Sequence, residues 1–433
     1  MTANILDYGA VPDGQTLCTG AVQAAIDTLS ASGGQVLIPA GRFLCGSLRL
    51  RSNIDLHLEQ GAVLISSIKQ EDMIDFSKDF EDDNADTGWE GGCFLFAMHE
   101  KNISITGEGT IDGQGRELFY DDDRDGGLHE CPLAVRGFRP RMSFLEDIEN
   151  LTVSGVTFYD SAFWTLHMAG CRDVLIDNIR ILNNERGPNN DGIDPDCCTN
   201  VLIRNCIIRA GDDAIVLKTT APMAKKYGEC KNIVIQGCSI RSHSSALKLG
   251  TETWADIHHV IMSDCILEDC TRGFSIWSRD GGDIHDITIH HINGNTRGYS
   301  SSLRGGDGVV VWWGSGEPIF LSATKRAGAD RLPGKIFNIR MDHLYMTCEG
   351  SITIAGEDYS PISHIRINDS EFIYKLQSSH LPEYLDETPS ERGCYKHELP
   401  CIYIRCCEDI KYQSDLTVDD SLKEVFKKKE IVE

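Results

Sequence analysis

The sequence predicts an all-β fold: a right-handed, single-stranded parallel β-helix with an N-terminal capping helix. Three observations lead there. A polar residue followed by apolar, any, apolar recurs at Asn150-Leu-Thr-Val, Asp173-Val-Leu-Ile, Asn200-Val-Leu-Ile and Asn232-Ile-Val-Ile, then at His259-Val-Ile-Met, Asp286-Ile-Thr-Ile, Asn338-Ile-Arg-Met and His364-Ile-Arg-Ile. The steps are 23, 27, 32, 27, 27, 52 and 26 residues, a period near 27 with one coil carrying a large insert. Six residues past the markers lie Val156, Ile179, Cys206, Cys238, Cys265, Ile292 and Leu344, with Ser370 the exception, as one inward-facing column of stacked rungs should read. The repeats are strands without helical stretches between them, which selects a β-helix over leucine-rich or ankyrin arrays.

The elements follow in order. From Ala21 to Ser30, Val22, Ile26 and Leu29 share one helical face, and Gly33-Gly34 stops the helix. Such a helix covers the open end of the coil and protects a sheet edge from pairing with another chain. Gln35-Val-Leu-Ile reads as the first strand, and weaker markers stand at Asn53-Ile-Asp-Leu and Asn102-Ile-Ser-Ile. The expected organisation is a single domain over residues 1–433: cap and first strands at 1–48, coils at 49–375, and an irregular segment at 376–433. Inserts fall near 68–100, 116–140 and 293–335. In the last segment Ile402-Tyr-Ile-Arg fits a final rung, and Lys423–Lys429 a short charged helix or a tail.

The formal net charge of -25, with acidic clusters at Glu71–Asp86 and Asp121–Asp125, argues against nucleic acid and anionic membranes as partners. It would also repel a long polyanion unless the binding groove were locally basic. No apolar run is long enough to span a bilayer. The start, Met1-Thr-Ala-Asn-Ile-Leu-Asp-Tyr, has neither a basic n-region nor an apolar h-region, so the expected location is cytoplasmic, or secreted or periplasmic where a signal has been removed. The seventeen cysteines are odd in number and show no paired zinc spacing. Cys206, Cys238 and Cys265 fall in the inward column, where a thiol acts as a small apolar group. So many free thiols fit a reducing or anaerobic setting. The adjacent pairs Cys197-Cys198 and Cys406-Cys407 have no account at this level. His258-His259 and His290-His291 point to alternate faces of a strand, so no metal and no cofactor is expected, and the chain should be a monomer or weak homo-oligomer.

The chemistry concentrates in Asn190-Asp191-Gly192 and Gly211-Asp212-Asp213. The repeat register aligns Asp213-Ala-Ile-Val-Leu-Lys-Thr with Ser245-Ala-Leu-Lys-Leu-Gly-Thr and Arg272-Gly-Phe-Ser-Ile-Trp-Ser. Asp191, Asp213, Ser245 and Arg272 should then form one column on rungs about 4.8 Å apart. Asp212 joins it only if the turn there is bent. Acids stacked on a rigid sheet suit general acid and general base work on a glycosidic bond. Asp-Gly is also turn chemistry, a reading that serves Asp194 and Asp196 at least as well as function does. Two adjacent acids aligned with a third have no such packing explanation.

Together Leu6-Asp-Tyr-Gly-Ala, Gly107-Glu-Gly-Thr-Ile-Asp-Gly-Gln-Gly, Asn189-Asn-Asp-Gly-Ile-Asp and Gly211-Asp-Asp resemble glycoside hydrolase family 28, the polygalacturonases, over roughly residues 4–370. The resemblance implies hydrolysis with inversion, Asp212 as general acid, and Asp191 and Asp213 holding and deprotonating the attacking water. Inversion calls for opposed carboxyl groups about 6.5–9.5 Å apart. The family's Gly-His-Gly is replaced by Ser244-Ser245-Ala246, and its Arg-Ile-Lys by Ser275-Ile276-Trp277. His243, Lys248, Arg272 and Arg279 are the nearby candidates for the missing cations, with Trp277 as a sugar-stacking face. Asn190, His167 and Lys218 complete the expected substrate-binding set, for an oligo- or polysaccharide that is pectic or related to pectin.

Two rival functions use the same residues. A polysaccharide lyase would hold Ca²⁺ on the aspartates and abstract a proton with Lys218 or Lys248. A carbohydrate-binding solenoid would bind without turnover, with the lost histidine and Arg-Ile-Lys as the reason. The insert containing Gly305-Gly-Asp-Gly-Val-Val-Val-Trp-Trp-Gly is expected as a wall closing one end of the groove.

Overall fold

The computed structural model describes residues 1–75, 92–300 and 312–433. They wind into a right-handed parallel β-helix. One sheet is built from the legs that follow the repeat markers. The other runs through Gly92–Met98, Arg141–Glu146, Leu166–Ala169, Ile193–Asp196, Ile215–Thr219, Ser245–Thr253, Arg272–Ser278, Ile319–Ala323, Ile352–Ala355 and Ile402–Arg405, each parallel to the next. This second sheet carries the site on its outer face and is called the site sheet below.

The repeat markers are corner residues. From Asn53 to His364 all ten have left-handed backbone, with φ between 53° and 63°. Asn and Asp tolerate that conformation better than most residues, which explains the polar position of the repeat. Their amides also stack up the corner: Asn102 Nδ2 donates to Asn53 Oδ1 at 2.7 Å, Asn150 to Asn102 at 2.9 Å, and Asn232 to Asn200 at 3.0 Å. Beyond the corner the chain alternates, and Val156, Ile179, Cys206, Cys238, Cys265, Ile292 and Leu344 are all buried. Cys265 pairs with Ile292, and Ile292 with Leu344. Ser370 sits in the same column because its hydroxyl is satisfied, donating to the Asn368 carbonyl at 2.7 Å and accepting from the Leu344 amide at 3.0 Å.

The cap is an α-helix over Thr19–Leu29 that buries Val22, Ala25, Ile26 and Leu29 against Thr2–Asn4, Gly34–Ile38 and Leu48–Arg49. At the other end, Ile402–Arg405 is a rung of the site sheet, with Glu430–Val432 paired outside it, and Cys407–Val418 extends the large sheet. Lys423–Lys429 is not a helix; a 3-10 turn at Asp420–Leu422 precedes it. None of the seventeen cysteines forms a disulfide. The two adjacent pairs now have an explanation. Cys197 and Cys406 take left-handed corners, φ 53° and 46°, and Cys198 and Cys407 follow as inward residues. Among the described residues no helix is long and apolar enough to cross a membrane.

The inserts leave the coil without breaking it. Residues 76–91 of the first and 301–311 of the third lie outside the described residues, and with them most of the expected groove wall. The second insert is tied down beside the site: Arg186 donates to Asp121 at 2.6 Å and to the Cys131 carbonyl at 2.9 Å.

Candidate active site

Two tight turns build the site at the N-terminal ends of adjacent site-sheet strands. Glycine is required in both. A Cβ on Gly192 would lie 2.4 Å from the Ala214 carbonyl oxygen, and one on Gly211 would lie 2.3 Å from that of Gly187. The turns are locked together by Asn190, which is fully buried. Its Oδ1 accepts from the backbone amides of Gly211 at 2.8 Å and Asp212 at 3.2 Å, and its Nδ2 donates to the Asn184 carbonyl. This locking bends the second turn, so Asp212 does share the direction of its neighbours. Asp191, Asp212 and Asp213 each bring a carboxylate oxygen within 4.8 Å of the other two. That is closer than the wide opposed gap expected for an inverting pair.

The surroundings split these acids. Asp213 Oδ2 accepts from Lys248 Nζ at 2.7 Å, while Oδ1 accepts from Ser244 Oγ at 2.8 Å and the Ser245 amide at 3.2 Å. Burial alone would raise its pKa, but Lys248, with Lys218 and Ser244 behind it, overcomes burial and holds it below the usual carboxylate value. Asp212 moves the other way: burial and the Asp213 charge push it up. It is steadied by the Asn189 amide at 3.2 Å, and Asn189 Oδ1 in turn accepts from Arg139 Nη2 at 3.0 Å. Asp191 is raised well above its ordinary value by burial and by Asp194 and Asp212.

Lys218 is the second cation of the floor. Its Nζ lies 3.4 Å from both Asp191 and Asp194, 4.0 Å from Glu252, and 3.8 Å from the Trp164 ring centroid. Burial opposes its charge, yet these carboxylates overcome that and raise its pKa. Asp194 has no exposed surface, and burial pushes it up to about 7 against the pull of Lys218. The spacing of the three central acids would also admit a cation, but Lys218 and Lys248 already supply opposing charge there.

Asn190 stands behind the turns rather than facing a ligand, and its expected role as a sugar contact is corrected to a positioning one. His167 is buried between Phe144 and Trp164, 3.6 Å from Asp196, and burial lowers its pKa to about 4. His243 turns away from Asp213, as strand alternation dictates. It stacks on Tyr299 at 3.8 Å, and burial takes it down to about 3. Arg272 follows Ser245 in register but is buried against Glu317 and the Asp386 carbonyl, and Arg279 is buried against Ser322 and the Pro389 carbonyl. The C-terminal segment covers both, which the local repeat could not foretell. Neither is presented to the face where a sugar carboxylate would lie. Trp277 is 1% exposed, beneath Lys248 and Trp313, and offers no open face.

Sequence reasoning missed Arg139, Ser244 as the partner of Asp213, and Trp164 as the ring under Lys218. Arg139 lies in an insert without a motif. Ser244 had a signal, since it occupies the place of a lost motif beside Asp213.

A parallel β-helix with a compact centre of three aspartates and two lysines on one outer face is the build of a carbohydrate-active solenoid. The family model described as Glycosyl hydrolases family 28 matches residues 34–298. The chain belongs to that family. It is 36% identical over 225 residues to a probable polygalacturonase of Vitis vinifera, covering 50% of this chain and 44% of that protein. The chain spans about half the length of the curated relatives it matches first. The family 28 exopolygalacturonase of Yersinia enterocolitica superposes with a TM-score of 0.73 at 18% identity, covering 97% of this chain and 76% of that one. PfbA, a surface adhesin of Streptococcus pneumoniae, superposes with a TM-score of 0.59 at 16% identity, covering 97% and 93%. At these identities the structural likenesses speak for the fold alone.

Proposed function

We propose that the protein hydrolyses an α-linkage in a pectic or related oligo- or polysaccharide, with inversion, through a polygalacturonase-like centre whose subsites have changed. The observation that carries this reading is the split between neighbours: Lys248 holds Asp213 ionised, while Asp212 is pushed toward its protonated form. One group ready to give a proton beside one ready to take it is what glycosidic cleavage needs. Asp212 protonates the leaving oxygen, Asp213 takes the proton of the attacking water, and Asp191, itself raised toward its protonated form, helps to hold that water. Asn189, Asn190 and Arg139 hold the turns in place. The chain is strongly acidic as a whole, yet Lys218, Lys248 and Arg139 gather at the centre, which makes the groove locally favourable to an acidic sugar.

Products gaining one water on a panel of pectic oligosaccharides, absent with Asp212→Asn, support hydrolysis. Products with an unsaturated end, dependent on Ca²⁺, would replace it with a lyase. Binding without turnover by the unaltered protein would make it a carbohydrate-binding solenoid.

A further inference from the structure

We infer that a second cleft beside the centre, between Trp254 and Arg331, is a subsite for a glycosyl unit carrying a carboxylate. The inference rests on the hydrolase reading above and adds to it a location and a ligand class. The cleft has a volume of about 410 Å³ and opens at the C-terminal ends of the site-sheet strands, opposite the turns that carry the aspartates. A cleft of that size holds a sugar ring. It is joined to the centre by one cation: Glu252, on its wall, lies 4.0 Å from Lys218 Nζ, which is itself 3.4 Å from Asp191. A sugar seated there therefore neighbours the bond that the aspartates address.

Its two sides differ in character. Trp254 lines the cleft and is 40% exposed, its backbone amide donating to the Thr219 carbonyl at 2.9 Å, so part of its ring meets solvent beside the face that Arg331 covers. Aromatic faces beside a few placed polar groups are the usual lining of ligand pockets. The cations of the cleft are not equivalent. Arg326 is occupied, donating to both carboxylate oxygens of Asp280 at 2.9 and 2.8 Å. Arg331 is exposed and lies with its guanidinium 4.6 Å over the Trp254 ring, which fixes the plane of its fork without using its outward donors. Among the described residues it has no ion pair with a carboxylate. A stacked guanidinium with open donors reads a carboxylate in two-pronged fashion, where a lysine would act as a point charge. Glu252 lies 4.0 Å from both Lys218 and Arg326, at the edge of ion-pair range.

The test uses Asp212→Asn to prevent turnover and measures binding by calorimetry. The probes are trigalacturonate, tetragalacturonate and the same oligomers with their carboxylates reduced to alcohols. The expected result is that the acidic tetramer binds at least about tenfold more tightly than its reduced form. Arg331→Gln should remove that preference, and Trp254→Ala should weaken both forms by about tenfold. In the active protein the same two changes raise KM far more than they lower kcat. If both variants bind and turn over like their parents, the cleft is not a subsite, and the hydrolase reading stands without it. If acidic and reduced oligomers bind alike, the ligand class is overturned. If the parent neither binds nor cleaves any of them, the pectic reading falls, and this inference with it.

Discussion

Lys248 Nζ sits 2.7 Å from Asp213 Oδ2, 35 residues and one rung further along the coil, and this contact is the foremost of those that separate the proton affinities of two aspartates that are neighbours in the chain. Replacing Lys248 with methionine keeps the stem and removes the charge. Burial then acts on Asp213 unopposed, so its pKa rises. The expected outcome is an acidic limb of the pH–rate profile moved to higher pH, with a kcat about 10²-fold or more lower at a fixed pH on that limb. A profile with an unmoved acidic limb would show that Asp213 is not the group that must be ionised.

Asp212→Asn removes the proton donor and preserves the turn, because the Asp213 amide and the Asn189 amide contact oxygen positions that asparagine only partly changes. General acid catalysis contributes about 10²–10⁴-fold, so kcat should fall by that order while oligosaccharide affinity is largely kept. A substrate whose leaving group needs no proton should recover much of the loss. Equal loss on both substrates would place the residue in a structural role.

Asp194 tests the buried charge without touching the proposed acid. Burial raises its folded-state pKa to about 7, above the value in the unfolded chain. The folded protein therefore binds this proton more tightly, and the group's contribution to stability is full below the unfolded carboxylate range and is lost as pH rises through about 7. Asp194→Asn should flatten that part of the pH dependence. The variant's melting temperature, relative to wild type, should rise from pH 5 to pH 8. A constant difference across that range would mean that Asp194 is ionised throughout, paired with Lys218.

The coil, the cap and the acid pair were legible in the sequence because each follows from local periodicity. A corner asparagine at φ near 55°, an inward residue six positions on, and Gly192 over Ala214 are all fixed by one rung and its neighbour. The fates of Arg272 and Arg279 were not legible. The groups that cover them, at Asp386 and Pro389, are more than a hundred residues away in sequence and belong to no repeat. His243 shows the same limit on a smaller scale, since Tyr299, which holds it, stands beyond the following rung. Periodicity tells which way a side chain points; it does not tell what the inserts and the C-terminal segment lay on top of it.

Gly192→Ala should be disproportionately harmful for so small a change. Its Cβ would lie 2.4 Å from the Ala214 carbonyl oxygen and 2.9 Å from Ile208 Cγ2, forcing apart the two rungs that carry the acids. A loss of about 1–3 kcal/mol in stability is expected, together with most of the activity. Gly20→Ala is the control, since no atom lies within 4 Å of its Cβ and it sits in the cap helix, where alanine is the better residue. Thermal unfolding of the two variants, read beside activity, separates damage at the site from damage to the fold.

The stereochemistry of cleavage is the sharpest outcome, because the spacing and the contacts point in different directions. Carboxyl groups about 5 Å apart are usual for retention, in which one of them attacks the sugar, and the central acids lie within 4.8 Å of one another. A nucleophile, however, needs a free lone pair. Asp213 is the acid held ionised, and its oxygens already accept from Lys248, Ser244 and the Ser245 amide. Three of its roughly four acceptor sites are so engaged, which leaves one to accept from water while the contacts hold the carboxylate back from the sugar carbon. The third acid, Asp191, supplies what a two-carboxylate site of this width lacks, a second oxygen to hold that water. Inversion is therefore expected. Proton NMR of the first product, taken before mutarotation, should show the β-anomer from an α-linked substrate. Azide added to Asp212→Asn should give no glycosyl azide of retained configuration. An α-anomer from the wild-type protein would make an aspartate the attacking group and reverse the roles argued for Asp191 and Asp213.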